Sequence, residues 1–194
     1  RWLGMAALAV AAHAGVHLFA WFLLGGPDLH FFAALSLVGL GMAALTVALG
    51  PAQRVELLGI IVFPLAAATL AAYAWFGGAP PRQGLDWPLK LHALLALLAY
   101  ATLAVATLLA LMLWAQERAL RRKHLGPWLR VLPPLTQMEA LAFRTLVAAF
   151  VLLSLTLLTG VVFVDDLFAQ GLGHKTVLSI LSWTVLGVLL VGRW

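Results

Sequence analysis

The stretch LKLHALLALLAYATLAVATLLALMLW, residues 89–114, decides the fold of this chain. It is an almost continuous apolar run, and at about 1.5 Å per residue a helix of this length exceeds the roughly 30 Å hydrocarbon core of a bilayer. His92 lies just inside one end of the stretch, so the helix places an imidazole near one membrane surface. The sequence therefore predicts a membrane-spanning helix here, with His92 as the first candidate functional residue.

The composition of the whole chain is typical of a polytopic membrane protein. Of its 194 residues, 64% are hydrophobic and only 10% are charged, and the mean hydropathy is +1.04, which exceeds what a soluble core needs. In a soluble protein the net charge of +5 would suggest a nucleic-acid partner. In this chain the basic residues instead indicate the orientation of the helices in the membrane. The chain has no cysteine, which excludes disulfides and thiolate ligands. We therefore expect an all-α bundle in the lipid bilayer that binds no nucleic acid.

Six apolar runs predict six transmembrane helices in a single domain, residues 1–194. Gly- and Pro-rich breaks separate several of the runs, as expected where helices leave the membrane; Gly50 and Pro51, for example, predict the end of the second helix. Thr136 and Glu139 have the spacing of a capping box at the start of the fifth helix. Because the chain begins at Arg1 without a methionine and ends at Trp194 just after an apolar run, we expect the natural protein to continue at both ends with further helices. The expected helices are residues 2–24, 31–49, 57–76, 89–114, 140–164 and 176–191.

The basic residues predict which side of the membrane each loop occupies. Alternating crossings place most lysines and arginines on one side, namely Arg1, Arg54, Arg118, Arg121, Arg122, Lys123, Arg130, Arg144 and Arg193. Only Arg82, Lys90 and Lys175 fall on the other side. By the positive-inside rule the first side is cytoplasmic. We therefore expect a multi-pass protein of the bacterial inner membrane, with His30, His92 and His174 near the periplasmic surface.

The histidines are the candidate ligands for a cofactor. Neutral imidazole binds haem iron and divalent metals, and ionisable residues inside a membrane are functional hypotheses by default. His13 and His17 are four residues apart, so they share a helix face and cannot supply both axial ligands of one haem, which approach the iron from opposite sides. Each histidine has an alternative reading, either as a solvated group at the surface or as a buried group bonded to a neighbouring carbonyl.

Other side chains offer weaker candidates. Trp183 lies near mid-membrane and can serve either core packing or contact with a porphyrin edge. Asp165 and Asp166 could hold a divalent cation, although adjacent acids are more often a solvated turn. No nucleophile lies beside a base, and no glycine-rich phosphate loop is present, so hydrolysis and phosphoryl transfer have no support. We expect a protein that is not an enzyme.

Several segments together resemble the cytochrome c assembly family, in its YpjD- and HemX-like inner-membrane branch. The segments are LHA at 91–93, LAYA at 98–101, EALAFRT at 139–145, LLTG at 157–160 and HKTVLSILSW at 174–183. In haem-exporting members the resemblance implies a haem at the outer surface, held by two external histidines beside a tryptophan-rich loop. His92 matches the first of these histidines, and Lys175 and Trp183 match a lysine and a tryptophan of the same pattern.

The chain also departs from the pattern of the haem exporters. Gln170 and Leu172 stand near the places of two expected tryptophans, and Val191 stands where an intramembrane histidine is expected. Gly173 and His174 replace an Asp-Pro pair. The resemblance therefore implies haem binding or handling, with membrane proteins of cytochrome assembly or respiration as partners, rather than export to apocytochrome. The alternatives are a structural or regulatory membrane subunit without a cofactor, and an accessory to divalent cation (magnesium) homeostasis.

Overall fold

A computed structural model describes residues 2–53, 56–77, 86–123, 132–163 and 173–193; of residues 51–53, 56 and 173–175 it describes the backbone alone. Within these ranges every regular element is a helix and there is no strand, which confirms the all-α prediction. The helices are α1 (Trp2–Leu24), α2 (Phe31–Gln53), α3 (Glu56–Phe76), α4 (Trp87–Arg121), α5 (Leu135–Phe163) and α6 (Gly173–Val191).

The lengths of the helices confirm a polytopic membrane bundle. Helices α1 to α5 are each long and apolar enough to cross a membrane. The apolar part of α6, Thr176–Val191, is shorter. The whole of α6 has 19 residues and reaches about 28 Å, close to the thickness of the hydrocarbon core. The sixth membrane crossing therefore stays a prediction, and the length of α6 is nearly sufficient for it.

Two predicted helix ends were wrong, because a Gly-Pro pair was taken as the end of α2 and the end of the apolar run as the end of α4. Helix α2 continues past Gly50 and Pro51 to Gln53. Helix α4 has 35 residues, about 52 Å, and runs beyond Trp114 through the polar segment QERALR, 116–121. Glu, Arg, Ala and Leu all favour helix, so the helix leaves the membrane without breaking. The Nε2 of Gln116 donates to the carbonyl oxygen of Pro133 at 3.0 Å and thereby ties this extension to the start of α5.

The predicted capping box at Thr136 and Glu139 was also wrong. Helix α5 begins at Leu135, before Thr136. The carbonyl oxygen of Pro134 accepts the backbone N–H of Gln137 at 2.9 Å and that of Met138 at 3.1 Å. These are the first main-chain hydrogen bonds of the helix, so Pro134 rather than Thr136 stands at its N-cap position. Helix α6 likewise begins earlier than expected, at Gly173.

The bundle packs around α2 and α4. Helix α2 contacts α1, α3 and α4, while α5 packs against α4 on one side and α6 on the other. Small residues allow the helices to approach closely, as in many membrane bundles. A Cβ on Gly41 would lie only 2.7 Å from the Cβ of Ala101, so the α2–α4 contact requires glycine there. The buried core contains Met42, Ala43, Leu58, Val62, Ala66, Ala101, Val105, Leu109, Met138, Leu141 and Ala142.

Contacts near the helix ends fix which ends share a membrane surface. Arg193, just after α6, forms a 3.0 Å ion pair with Glu139 near the start of α5. We call this level the basic boundary, because the described Arg118, Arg121, Arg122, Lys123, Arg144 and Arg193 lie at or near it. At the opposite level, the histidine boundary, Tyr73 of α3 approaches Asp28 after α1, and His92 of α4 reaches Thr159 of α5.

Candidate functional site

His92 lies on the seam between α4 and α5, one and a half turns after α4 begins at Trp87. It is half-buried, and its Nδ1 lies 3.1 Å from the Oγ1 of Thr159. Helix α5 has a glycine beside the ring, where a Cβ on Gly160 would come within 3.2 Å of the Cε1 of His92. The Nδ1–Cε1 edge of the imidazole therefore faces α5, against a helix surface that has no side chain to push it away.

The hydrogen bonds of Thr159 indicate which ring nitrogen of His92 carries the proton. The Oγ1 of Thr159 lies 2.9 Å from the carbonyl oxygen of Leu155 and 3.0 Å from that of Thr156, so the hydroxyl donates its proton to its own helix. Its oxygen then accepts from the Nδ1–H of His92. This network assigns the proton to Nδ1 and leaves the lone pair of Nε2 for coordination, which is how an outer hydrogen bond orients a ligating histidine.

A second polar group lies deeper, between α1 and α2. The Nε2 atoms of His13 and His17 both lie 2.9 Å from the Oγ of Ser36. The two imidazoles stack with their centroids 5.6 Å apart, as their four-residue spacing on one helix predicts. His17 is 1% exposed and Ser36 is 0% exposed, so the group is closed to solvent. Both predicted histidines are thus held by a serine hydroxyl from the neighbouring helix.

Aromatic and acidic side chains continue this polar group to the histidine boundary. The ring of Tyr73 stacks on His17 at 4.8 Å and lies 5.9 Å from the ring of His30. Asp28 is buried and accepts from the backbone N–H of His30 at 3.1 Å and pairs with its Nδ1 at 2.7 Å. We call the set His13, His17, Asp28, His30, Ser36 and Tyr73 the buried polar cluster. Within the described residues, the Nδ1 of His17 and the Nε2 of His30 are buried without a hydrogen-bond partner.

His92 and the histidines of the buried polar cluster differ in how well they could coordinate haem iron. Iron needs a neutral imidazole nitrogen with a free lone pair and room for the macrocycle in front of it. The Nε2 atoms of His13 and His17 are bonded to Ser36, and the ring of His17 is enclosed between His13 and Tyr73. His92 is bonded through Nδ1 and is only half-buried. The donor chemistry of His92 therefore fits a haem ligand, whereas the cluster histidines fit structural roles.

Trp183 lies away from His92, on another face of α5. Its Nε1 donates to the Oγ of Ser154 at 2.8 Å, and its ring stacks on Phe150 with centroids 5.5 Å apart. Ser154 and Thr159 are five residues apart, so their side chains point about 140° apart around α5. The structure thus gives Trp183 a packing contact between α5 and α6 and does not bring it to the imidazole of His92.

The remaining candidates lie partly or wholly outside the described residues. His174 is in the first turn of α6, but its side chain is not among those described. Asp165 and Asp166 lie between the described ranges 132–163 and 173–193, so a cation site there stays a prediction. In the part of the chain that the structure does describe, no three His, Asp or Glu side chains are grouped as a metal site requires.

The sequence prediction missed several partners of the predicted histidines. Thr159 was not singled out, since a threonine in an apolar helix is usually bonded to its own backbone. Ser36 and Tyr73 are among the few polar residues of α2 and α3, and Asp28 lies in the short connection between α1 and α2. One available signal was that Ser36 is one of only two hydroxyl-bearing residues, with Thr46, in an apolar helix that follows a histidine-bearing helix, and interhelical hydrogen bonds are expected in such pairs.

Comparison with known proteins places the chain in a family. The profile of the family described as "Cytochrome C assembly protein" matches residues 2–194. An uncharacterized 28.8 kDa protein in the nifR3-like 5' region of Azospirillum brasilense is 34% identical over 166 residues, which are 83% of this chain and 59% of that protein. The inner membrane protein YpjD of Escherichia coli K12 is 40% identical over 103 residues, 53% of this chain and 39% of that protein. The chain thus matches 59% or less of these relatives' lengths. No solved structure matches significantly.

Proposed function

The chain belongs to the cytochrome C assembly protein family, and we propose that it binds haem in the membrane through His92 and takes part in cytochrome assembly without catalysing a reaction. The observation that carries the proposal is the hydrogen bond from the Nδ1 of His92 to Thr159. This bond orients the ring and leaves Nε2 free as an axial ligand. The position of His92 near the periplasmic surface, expected from the positive-inside rule, suits the presentation of haem to other membrane proteins of cytochrome assembly or respiration.

His92 and Thr159 have separate roles in this proposal. When bound, haem iron supplies redox or exchange chemistry that no side chain provides. The imidazole of His92 is the ligand, and Thr159 is a positioning residue that fixes its tautomer. Gly160 keeps α5 close to the ring, because a Cβ there would lie 3.2 Å from the Cε1 of His92. His13 is a weaker candidate, because its Nε2 must first leave Ser36.

A haem titration of the purified chain in detergent tests this function. We expect a Soret band that shifts on reduction, and its loss in His92→Ala together with recovery when free imidazole is added. Thr159→Val keeps the ligand but removes the acceptor for Nδ1–H, and we expect haem affinity to fall about 10- to 100-fold. His30→Ala is the matched control, because it removes another histidine at the same boundary and should leave the band unchanged.

Three results would count against haem binding by His92. A chain that gives no Soret band would overturn the proposal and favour a structural or regulatory subunit without a cofactor. A band that survives His92→Ala but disappears in His13→Ala would move the ligand to α1. An effect of His30→Ala equal to that of His92→Ala would mean that the loss reflects general damage at the histidine boundary.

A further inference from the structure

A cleft between α5 and α6 opens at the basic boundary, far from both histidine groups. It has a volume of about 490 Å³ and is lined by Phe143, Arg144, Val147, Leu190 and Arg193. Its walls are apolar side chains, and the charged groups that line it are the two guanidinium groups. The cleft therefore joins a hydrophobic surface to a positively charged rim.

The two arginines lie at the depth of the lipid head groups. Residues 144–163 of α5 cover about 30 Å, the thickness of the hydrocarbon core, so Arg144 is placed where α5 leaves that core. Arg193 follows the last residue of α6 by two positions. Its guanidinium lies over the ring of Phe143, 3.5 Å from the centroid. Both charges thus face the polar edge of the membrane, while Val147 and Leu190 lie within its apolar depth.

The charges in the cleft are only partly compensated. Arg193 pairs with Glu139 at 3.0 Å, and both side chains are well exposed, at 39% and 45%. Arg144 is exposed and has no ion-pair partner within the described residues. The rim therefore carries one positive charge in excess, which complements a single phosphodiester anion.

We propose that this cleft binds an anionic phospholipid, with its phosphodiester between Arg144 and Arg193 and its acyl chains along Val147 and Leu190. Arginine is suited to this contact because its planar fork donates two hydrogen bonds to a phosphate. Basic pockets between transmembrane helices on the cytoplasmic side are known to hold such head groups. A zwitterionic lipid fits less well, because its own ammonium group adds a second positive charge beside the arginines.

Native mass spectrometry of the whole chain in a neutral detergent tests the proposal. We expect phosphatidylglycerol to bind more tightly than phosphatidylcholine. Arg144→Gln should weaken phosphatidylglycerol about fivefold, from roughly 1 kcal/mol per basic residue near a membrane surface. Arg144→Lys keeps the charge but loses the fork and should lie between Arg144→Gln and the unmodified chain. Arg121→Gln is the control, because it removes an equal charge at the exposed end of α4, outside the cleft, and should leave binding unchanged.

The choice of Arg144 keeps the test independent of folding. Arg193→Gln also breaks the ion pair with Glu139 and could destabilise the α5–α6 contact, whereas Arg144 takes part in no such pair. Equal binding of the two lipids, or equal loss in Arg144→Gln and Arg121→Gln, would overturn the proposal. Displacement of phosphatidylglycerol by excess inorganic phosphate would also overturn it, since the cleft would then be a phosphate site. A chain that binds neither lipid would likewise overturn it.

Discussion

Replacing Ser36 with alanine should measure how much the buried polar cluster stabilises the bundle. The hydroxyl of Ser36 lies 2.9 Å from the Nε2 of His13 and 2.9 Å from that of His17. Ser36 is 0% and His17 1% exposed, so water cannot readily replace the lost hydroxyl. Interhelical hydrogen bonds in membrane proteins contribute about 0.6 kcal/mol on average and at most about 1.7 kcal/mol. Loss of two such bonds, with buried nitrogens left unpaired, should cost about 1–3 kcal/mol.

Reversible unfolding of the whole chain in mixed micelles of detergent and sodium dodecyl sulfate gives this free energy of unfolding. Ser182→Ala is the matched control, because Ser182 is exposed on α6, and its stability should equal that of the unmodified chain. Ser36→Thr keeps a hydroxyl and should recover part of the loss. If Ser36→Ala and Ser182→Ala were equally stable, the two histidines would be held by packing alone, and the reasoning from the serine hydroxyl would be refuted.

Three further substitutions test contacts elsewhere in the bundle, each by the same unfolding measurement. Gly41→Leu should destabilise the bundle by about 1–3 kcal/mol, because its Cβ would meet Ala101 at 2.7 Å and force α2 from α4; no loss would mean that these helices can separate without cost. Trp183→Phe keeps a stacking ring but removes the donor to Ser154, so the loss should be about 0.6 kcal/mol; a loss several times larger would indicate a further role. Asp28→Asn weakens a 2.7 Å pair with a histidine at the membrane surface and should cost about 1 kcal/mol; unchanged stability would show that the pair is solvated.

The number and order of the helices could be predicted because membrane insertion depends on local composition. A run of about 20 apolar residues is enough to identify a spanning helix without knowledge of its neighbours. Helix α1 ends at Leu24, as predicted, because Gly25, Gly26 and Pro27 disfavour the continuation of a helix. The fold class therefore follows from the sequence with few assumptions.

The ends of the other helices were less predictable, because hydropathy marks the membrane rather than the helix. Helix α4 continues to Arg121 beyond its apolar part, and Arg118 and Arg121 in this extension are exposed. Its extension also depends on the contact between Gln116 and the carbonyl oxygen of Pro133, residues separated by 17 positions. Similarly, the first main-chain hydrogen bonds of α5 go to the carbonyl oxygen of Pro134, so the helix begins before the side-chain capping pattern at Thr136 and Glu139.

The candidate histidines could be predicted from the sequence, but their partners could not. An imidazole in an apolar helix is conspicuous in a sequence, and the spacing of His13 and His17 correctly placed them on one face. Their shared partner, Ser36, lies on another helix, and its contact depends on the rotation and depth of both helices. The same holds for Thr159, which is 67 positions from His92. Such pairs arise only when the bundle packs.

His13 and His17 differ from His92 in which ring nitrogen is hydrogen-bonded, and this difference is more informative than their depth in the membrane. In His13 and His17 the bonded atom is Nε2, so coordination through this nitrogen would break a contact to Ser36 that holds α1 to α2. In His92 the bonded atom is Nδ1, so coordination through Nε2 would keep the contact to Thr159 that holds α4 to α5. Haem could therefore bind to and leave His92 without disturbing the helix packing, whereas ligation by either α1 histidine through Nε2 would be coupled to the stability of the bundle. This difference in the hydrogen-bonded nitrogen supports the proposal that His92, rather than an α1 histidine, is the ligand.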